Sequence, residues 1–300
     1  MFNIPNNNGA LAKQSVNHPF NKIINLNSLN SLKDFDNYIR EVNKRIIDKG
    51  LFIACCETGE LVKKDIFLRL KFPLNHILFT TYFIYHRIFP KLLILNKIHK
   101  FFSKGKSIAM SKVELFGRLY YCGFELLSEK EIGKLNYFVV QKVKAPSIDK
   151  CPSYYPLIKL KRLGKNGKKI DVYKFRTMHP YSEYLQDYIY KQNNLDTGGK
   201  IKDDFRVSHI GTFMRKIWID EIPMLYNLFK GDLKLFGVRP ISEQYYNLYT
   251  EELKQLRKKH KPGLIPPFYA DLPKNIDEII ESEKKYLLEY EKKPLRTDCK

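Results

Sequence analysis

Between Asp203 and Pro240 the chain reads DDFRVSHIGTFMRKIWIDEIPMLYNLFKGDLKLFGVRP, with the adjacent carboxylates Asp220 and Glu221 just ahead of Pro223 and between spaced arginines. Proline has no N–H and is favoured in the first turn of a helix, while glycine is a common helix stop. Pro223 and Gly231 therefore predict a short helix over about Ile222–Lys230, with the adjacent carboxylates Asp220 and Glu221 capping its N-terminus. A helix N-terminus offers unpaired N–H groups and a partial positive charge, which keep carboxylates ionised and attract phosphate. An ionised aspartate can act as a nucleophile, and its neighbour can hold Mg2+. Taken alone, Asp-Glu-x-Pro is more simply a well-made helix start. Arg206, Arg215 and Arg239 shift the balance, because a guanidinium is suited to bidentate phosphate contacts; the alternative for them is a solvated basic face.

Upstream, LIKLKRLGKNGKKIDVYKFRTM predicts a β-hairpin, since Asn166-Gly167 supplies the positive φ values of a tight primed turn. Side chains alternate along a strand, so Lys174 and Arg176 share one face, directed either at a phosphate or at solvent.

Lys and Arg total 53 against 32 Asp and Glu, a formal charge of +21, so the partners are expected to be polyanions: anionic lipid headgroups, nucleotides or nucleic acid. No zinc-finger spacing, RNP pattern or basic-zipper heptad is present, which argues against nucleic acid. The five cysteines are odd in number and lack C-x-x-C spacing, so neither a disulfide framework nor a zinc cluster is suggested, and a reducing cytoplasmic setting fits. The seven histidines form no H-x-x-x-H or H-E-x-x-H pattern. The opening MFNIPNNNGALAKQ is polar and Asn-rich, unlike a signal peptide.

Three stretches are expected: a flexible lead over residues 1 to about 20, an α/β domain over 21–145, and a second domain over 151–300, beginning near Cys151 after a Pro-marked connection. In the first domain KIINLNSL reads as a strand, SLKDFDNYIREVNKRIIDKG as a helix ending before Gly50, and LFIACCET as a buried strand. SKVELFGRLYYCGFELLSE then runs as a helix through Gly123 towards a strand, followed by the strand KLNYFVVQKV. This order loosely resembles the later half of a Rossmann-like methyltransferase; no Gly-rich cofactor loop precedes it, so the domain is expected to be structural or regulatory. Residues 72–95 are the most apolar segment, bracketed by Pro73 and Pro90 and broken by His76, His86, Arg87 and Lys91. They suit either a buried helix or an interfacial membrane segment, not a spanning helix. Near the C-terminus, EIIESEKKYLLEYEKK predicts an amphipathic helix with Glu281–Lys285 and Glu289–Lys293 pairs.

Five pieces in order, LKRLGKNGKKIDVYKFRTM, DDFRVSHIGTFMRK, IDEIP, NLFKGDLKLFGVRP and KPG, together resemble the bacterial sugar transferases, the monotopic polyprenyl-phosphate phosphoglycosyl transferases. The match covers roughly residues 157–263. The overall class implied is α/β (α+β): a Rossmann-like α/β partial domain followed by a mixed helical and β-hairpin catalytic domain. The resemblance implies transfer of a sugar-1-phosphate from a UDP-sugar to polyprenyl phosphate, with release of UMP, through an aspartyl-phosphate intermediate. It would initiate exopolysaccharide, capsule or other surface-glycan synthesis at the cytoplasmic face of the bacterial inner membrane, in peripheral or monotopic attachment. Asp220 matches the family nucleophile and Glu221 its Mg2+-associated partner, so the pair would bind the metal. Arg215 and Arg239 match arginines near the substrate phosphates, with Arg206, Lys174 and Arg176 as further phosphate-binding candidates. The alternative is a catalytically silent, basic, membrane-associated scaffold of the same fold.

The chain departs from the family pattern at several places. A polar, Pro-containing VKAPSIDKCPSYYP stands where the family has a hydrophobic re-entrant segment. Val238 replaces a proline in Gly-Pro-Arg-Pro, and Met224 stands where glutamine is common. LIPPFYAD replaces the usual continuation after KPG, and Asp298 corresponds to a family aspartate near the C-terminus.

Overall fold

The computed structural model describes residues 19–32, 34–92, 109–149, 154–186, 204–267 and 275–298, with a few isolated positions between them. Most of the expected N-terminal lead, and the expected boundary at Cys151, lie outside the described residues. Backbone proximity divides the chain into two units, Met1–Tyr155 with His179–Asp187, and Pro156–Met178 with Tyr188–Lys300. Helices and strands mix in both, so the fold is α/β.

In the first unit β1 (Phe20–Ser28), α1 (Phe35–Arg45) and β2 (Ile46–Cys56) form a parallel pair joined by a helix. Helices α2 (Gly59–Arg69), α3 (Leu74–Phe83) and α4 (Lys112–Tyr121) follow, then the hairpin β3 (Phe124–Ile132) and β4 (Leu135–Lys142). The sheet order is β1-β2-β4-β3, with β4 antiparallel to both neighbours. Asp34 caps α1 by accepting the Asn37 N–H at 3.1 Å, and Tyr38, Ile39 and Val42 carry the buried face. This helix stops at Arg45, not just before Gly50 as expected. The β-branched Ile46 pairs with Phe20 instead, and Lys49 at φ 61° forms a bulge that resets the register to Lys22–Leu51. Phe52, Phe124 and Phe138 fill the centre, with ring centroids 5.9 and 6.3 Å apart. Gly123, at φ 88°, turns α4 into β3, and the buried Asn43 amide donates to the Cys122 and Lys144 carbonyls on either side of that turn.

Residues 74–92 form α3, a wider π turn over Ile84–Ile88 and a final short turn. The buried-helix expectation fails here. Phe72 is 79% exposed, and Leu74, Ile77, Leu78, Ile84 and Ile88 are also exposed, because α3 packs mainly on α2 while α1 and α4 supply the sheet's buried partners. Among the described residues no helix is long and apolar enough to cross a membrane.

The first unit also buries charge. Glu114, 1% exposed on α4, pairs with Arg118 at 3.0 Å and Arg87 at 3.3 Å, and Arg118 continues to Asp36 at 2.7 Å. Burial by itself would push the Glu114 carboxyl up, but Arg118, Lys91 and Arg87 overcome it and hold the group at about 2. A carboxylate depressed in the folded state contributes stability above its ordinary value of 4.5, and that contribution is lost as pH falls towards 2. Glu114→Gln is expected to cost ~3 kcal/mol at pH 7, since it leaves buried arginines under-compensated. Denaturant unfolding should show the gap from wild type narrowing below pH 4.5; a gap independent of pH would contradict the linkage.

The second unit opens with the hairpin β5 (Leu157–Leu163) and β6 (Lys169–Phe175). Its turn is the primed one expected, with Asn166 at φ 59°, Gly167 at φ 72° and the Lys168 N–H donating to the Lys165 carbonyl at 3.2 Å. Then come α5 (His209–Lys216), a single 3-10 turn (Ile219–Glu221), α6 (Met224–Phe229) and β7 (Lys234–Phe236). The helices α7 (Glu243–Asn247) and α8 (Glu251–Lys259), the strand β8 (Gly263–Ile265) parallel to β7, and α9 (Ile276–Lys292) complete it, with a last helical turn at Pro294–Asp298. Leu253 and Leu256 of α8 pack with Tyr286 and Leu287 of α9 on Val238 and Ile241. Salt links from α9 reach across to α8, Lys284–Glu252 at 2.6 Å and Glu291–Lys259 at 3.0 Å.

Candidate active site

Helix α5 is set against the end of the hairpin by Thr177. Ser208 caps α5, its Oγ accepting the Gly211 N–H at 3.0 Å, and the Ser208 backbone N–H donates to the Thr177 carbonyl, also at 3.0 Å. Position 211 must be glycine, because a Cβ there would lie 1.9 Å from that carbonyl oxygen. Arg215, on the last turn of α5, donates from Nε to Thr177 Oγ1 at 2.9 Å.

The chain then turns sharply. Trp218 adopts the left-handed conformation at φ 58°, and the acidic pair follows in its own 3-10 turn. The expected helix therefore starts at Met224, two residues late, and the carboxylates do not cap it. Pro223 lacks the N–H that would continue the turn into α6, and the reversal at Trp218 gives Asp220 and Glu221 a separate backbone frame. Gly231, at φ 78°, ends α6 as expected.

Asn227 holds this frame in place. It is fully buried on α6; its Nδ2 donates to the Asp171 carbonyl at 2.6 Å and its Oδ1 accepts the Tyr173 N–H at 3.0 Å, so both arms grip β6. Lys174, the next residue on that strand, is thereby brought to Glu221, with Nζ to Oε1 at 2.5 Å. The same Oε1 lies 3.5 Å from Arg239 Nη2. Arg239 sits on a loop fixed by close backbone contact of Gly237 and Gly263, with the Gly237 N–H on the Ile265 carbonyl and the Gly263 N–H on the Val238 carbonyl.

Asp220 is different from its neighbour. It is 8% exposed, and its Oδ1 is buried without a hydrogen-bond partner. Its charge is felt by Arg215 and by Lys174. Burial and the nearby Arg239 push the Lys174 ammonium down, against the pull of Glu221 and Asp220, and burial likewise lowers Arg215 against the pull of Asp220 and Asp204. Buried cations held beside one another make a site that an added polyanion would relax.

Among the expected residues, Lys174, Arg215 and Arg239 gather with Asp220 and Glu221. Arg206 is buried and holds Asp204 with two arms, Nε at 2.8 Å and Nη2 at 2.7 Å. Arg176 lies past the end of β6, where its N–H donates to the Pro156 carbonyl at 2.7 Å. Asp298 accepts the Tyr286 hydroxyl at 2.5 Å and lies 3.4 Å from Lys234. Two residues escaped the reading of the sequence. Arg162 faces Ile170 across the hairpin, on the strand face that also carries Lys174, and burial together with the charge of Arg239 lowers its guanidinium. Strand alternation was the available signal for it. Asn227 had the weaker signal of an amide set within the apolar run of a short helix.

For Mg2+, the donor set is two adjacent carboxylates, with one buried aspartate oxygen lacking a partner. Hard oxygen ligands of this kind, one or two per ion with the remaining positions left to water and phosphate, suit that cation. No group of three or more His, Cys, Asp or Glu side chains poised for a metal occurs among the described residues.

Residues 147–298 match the family model for bacterial sugar transferase. The chain belongs to that family. It is 37% identical over 134 residues to the galactosyl transferase CpsE of Streptococcus agalactiae, covering 43% of this chain and 29% of that protein. It is 39% identical over 104 residues to the uncharacterized sugar transferase EpsL of Bacillus subtilis, covering 34% and 45%. With the undecaprenyl-phosphate galactose phosphotransferase of Salmonella typhimurium it shares 32% over 108 residues, covering 34% and 22%. The matched segments thus span less than half the length of these relatives.

The Asn227 clamp yields a direct expectation. Asn227→Leu keeps the volume but leaves the Asp171 carbonyl and Tyr173 N–H without partners, at ~1–3 kcal/mol for each group left buried. Denaturant unfolding of the full chain measures this, and a loss under about 0.5 kcal/mol would show that the clamp contributes little.

Proposed function

We propose that the protein is a polyprenyl-phosphate sugar-1-phosphate transferase using a UDP-sugar donor, with Asp220 as nucleophile. The observation that carries this reading is the asymmetry of the acidic pair: Lys174 and Arg239 engage Glu221, while Asp220 Oδ1 keeps its lone pairs unengaged in a buried position. A nucleophile needs that freedom, and its neighbour does not.

In the proposed reaction the Asp220 carboxylate attacks the sugar-bearing phosphorus of the donor. The bond from that phosphorus to the bridging oxygen breaks, UMP leaves with the electron pair, and a phospho-sugar is held on Asp220. An oxygen of polyprenyl phosphate then attacks the same phosphorus and releases the carboxylate, giving the lipid diphosphate sugar. Nucleophile, acceptor and leaving group are all anionic, so the demand is for positive charge more than for proton transfer. Arg239, Arg215 and Lys174 supply it, with Arg162 as a further cation beside Arg239. Glu221, together with Asp220, would hold Mg2+, whose charge would be shared with the diphosphate. The relatives' names, among them an undecaprenyl-phosphate galactose phosphotransferase, support the substrate class.

A lipid acceptor also accounts for exposed apolar side chains around the acidic turn. Phe213, Trp218, Ile222, Leu225 and Phe229 all face solvent, Phe229 at 87%. Apolar residues beside a basic surface suit an anionic membrane, and α3 of the first unit offers a second such face.

Asp220→Asn is expected to abolish UMP release, by at least about 10³-fold, with the fold unchanged in circular dichroism. Intact-protein mass spectrometry of the wild type with UDP-sugars should show a sugar-phosphate adduct that the variant lacks; an adduct on the variant would reject the assignment. For the membrane, flotation with anionic vesicles should fall between low salt and 1 M salt, where the screening length is about 3 Å. Replacing Phe213, Trp218 and Phe229 by Ser should lower what remains bound at high salt, and retention unaffected by salt or by these changes would remove the membrane reading.

A further inference from the structure

Arg239 reaches Glu221 at 3.5 Å with a long side chain that is 44% exposed, so where its guanidinium points also depends on where its backbone is held. That backbone is held from two sides. On one side the Gly237–Gly263 approach holds the loop. On the other, the Arg239 carbonyl accepts a hydrogen bond from Arg257 Nη2 at 2.5 Å.

Arg257 lies on α8 and is buried, and its Nη1 is paired with Glu283 of α9, which is 1% exposed. The Tyr249 hydroxyl also hydrogen-bonds Glu283. A salt bridge buried this deeply is a poor way to gain stability, because desolvation offsets most of the attraction. What it provides is direction: a planar guanidinium with one arm clamped on a carboxylate presents its other arm at a set angle. That second arm ends on the residue whose side chain enters the acidic site.

We infer that Arg257, held by Glu283, is a positioning residue for Arg239, aiming the phosphate-binding guanidinium from behind the Gly237–Pro240 loop. The inference rests on the reading of Arg239 as a ligand of the donor diphosphate. It gives α8 and α9 a task in donor binding although neither carries a residue of the acidic site.

The test is a double-mutant cycle on the full chain, with UDP as the diphosphate probe and titration calorimetry as the readout. Arg257→Lys keeps a cation beside Glu283 but loses the fork that spans to the Arg239 carbonyl, and should weaken UDP binding about tenfold. In an Arg239→Ala background the same change should have almost no further effect, because there is no guanidinium left to aim. A merely structural role predicts the opposite, equal losses in both backgrounds, and that result overturns the inference while leaving Arg239 as a ligand. Unchanged UDP affinity in Arg239→Ala alone would overturn the phosphate-site reading, and the positioning role with it. Should Arg257→Lys fail to fold, Glu283→Gln, which keeps the shape and an acceptor for Arg257, runs the same cycle with the same two outcomes.

Discussion

Two adjacent carboxylates are differently occupied in the midst of several cations, and the packing around them sets the difference. Left to themselves, Lys174, Arg215 and Arg239 could satisfy both acids and leave an inert salt cluster. The backbone prevents it. Asn227 locks the helix behind the pair to β6, so that Lys174 meets Glu221, while Thr177 engages Arg215 through its side chain. Asp220 is left with a buried, unengaged oxygen. The difference between neighbouring residues is therefore a matter of frame, set by the left-handed Trp218 and the missing N–H of Pro223.

Buried charge recurs in the molecule, and its purpose differs by place. In the first unit Glu114, Arg118, Arg87 and Asp36 satisfy one another, giving a network that stabilises the folded form at neutral pH. In the second, Arg257 and Glu283 form a pair, joined by Tyr249, whose outer arm acts on a backbone carbonyl. Around Asp220, burial, with the charge of Arg239 added at Lys174, lowers the affinity of Lys174 and Arg215 for protons, which favours an added anion. The diphosphate of the proposed donor fits that description.

Apolar surface follows a similar logic. Neither α3 nor the segment around Trp218 and Phe229 buries its large side chains. Exposed apolar patches usually have a partner, and for a basic chain with the proposed lipid acceptor the membrane surface would be the one to test.

Features governed by neighbouring residues were legible in the sequence. Asn166-Gly167 specifies its turn because both positions tolerate positive φ, Gly231 ends its helix for the same reason, and alternation in β6 puts Lys174 on one face with Ile170 and Val172, while Arg176 falls past the strand's end. The five ordered segments identified the family because each is a local pattern. What depended on distant contacts was not legible. Periodicity extended α1 past Arg45, since nothing local shows that Ile46 will find a better partner in Phe20. The apolar run after Phe72 could be read as buried or exposed, because hydrophobicity alone does not tell which helices reach the sheet first. Only the tertiary structure decided that Lys174 pairs with Glu221, that Asn227 is the clamp, and that Arg257 stands behind Arg239, because each rests on atoms brought together across 18 to 56 residues of chain.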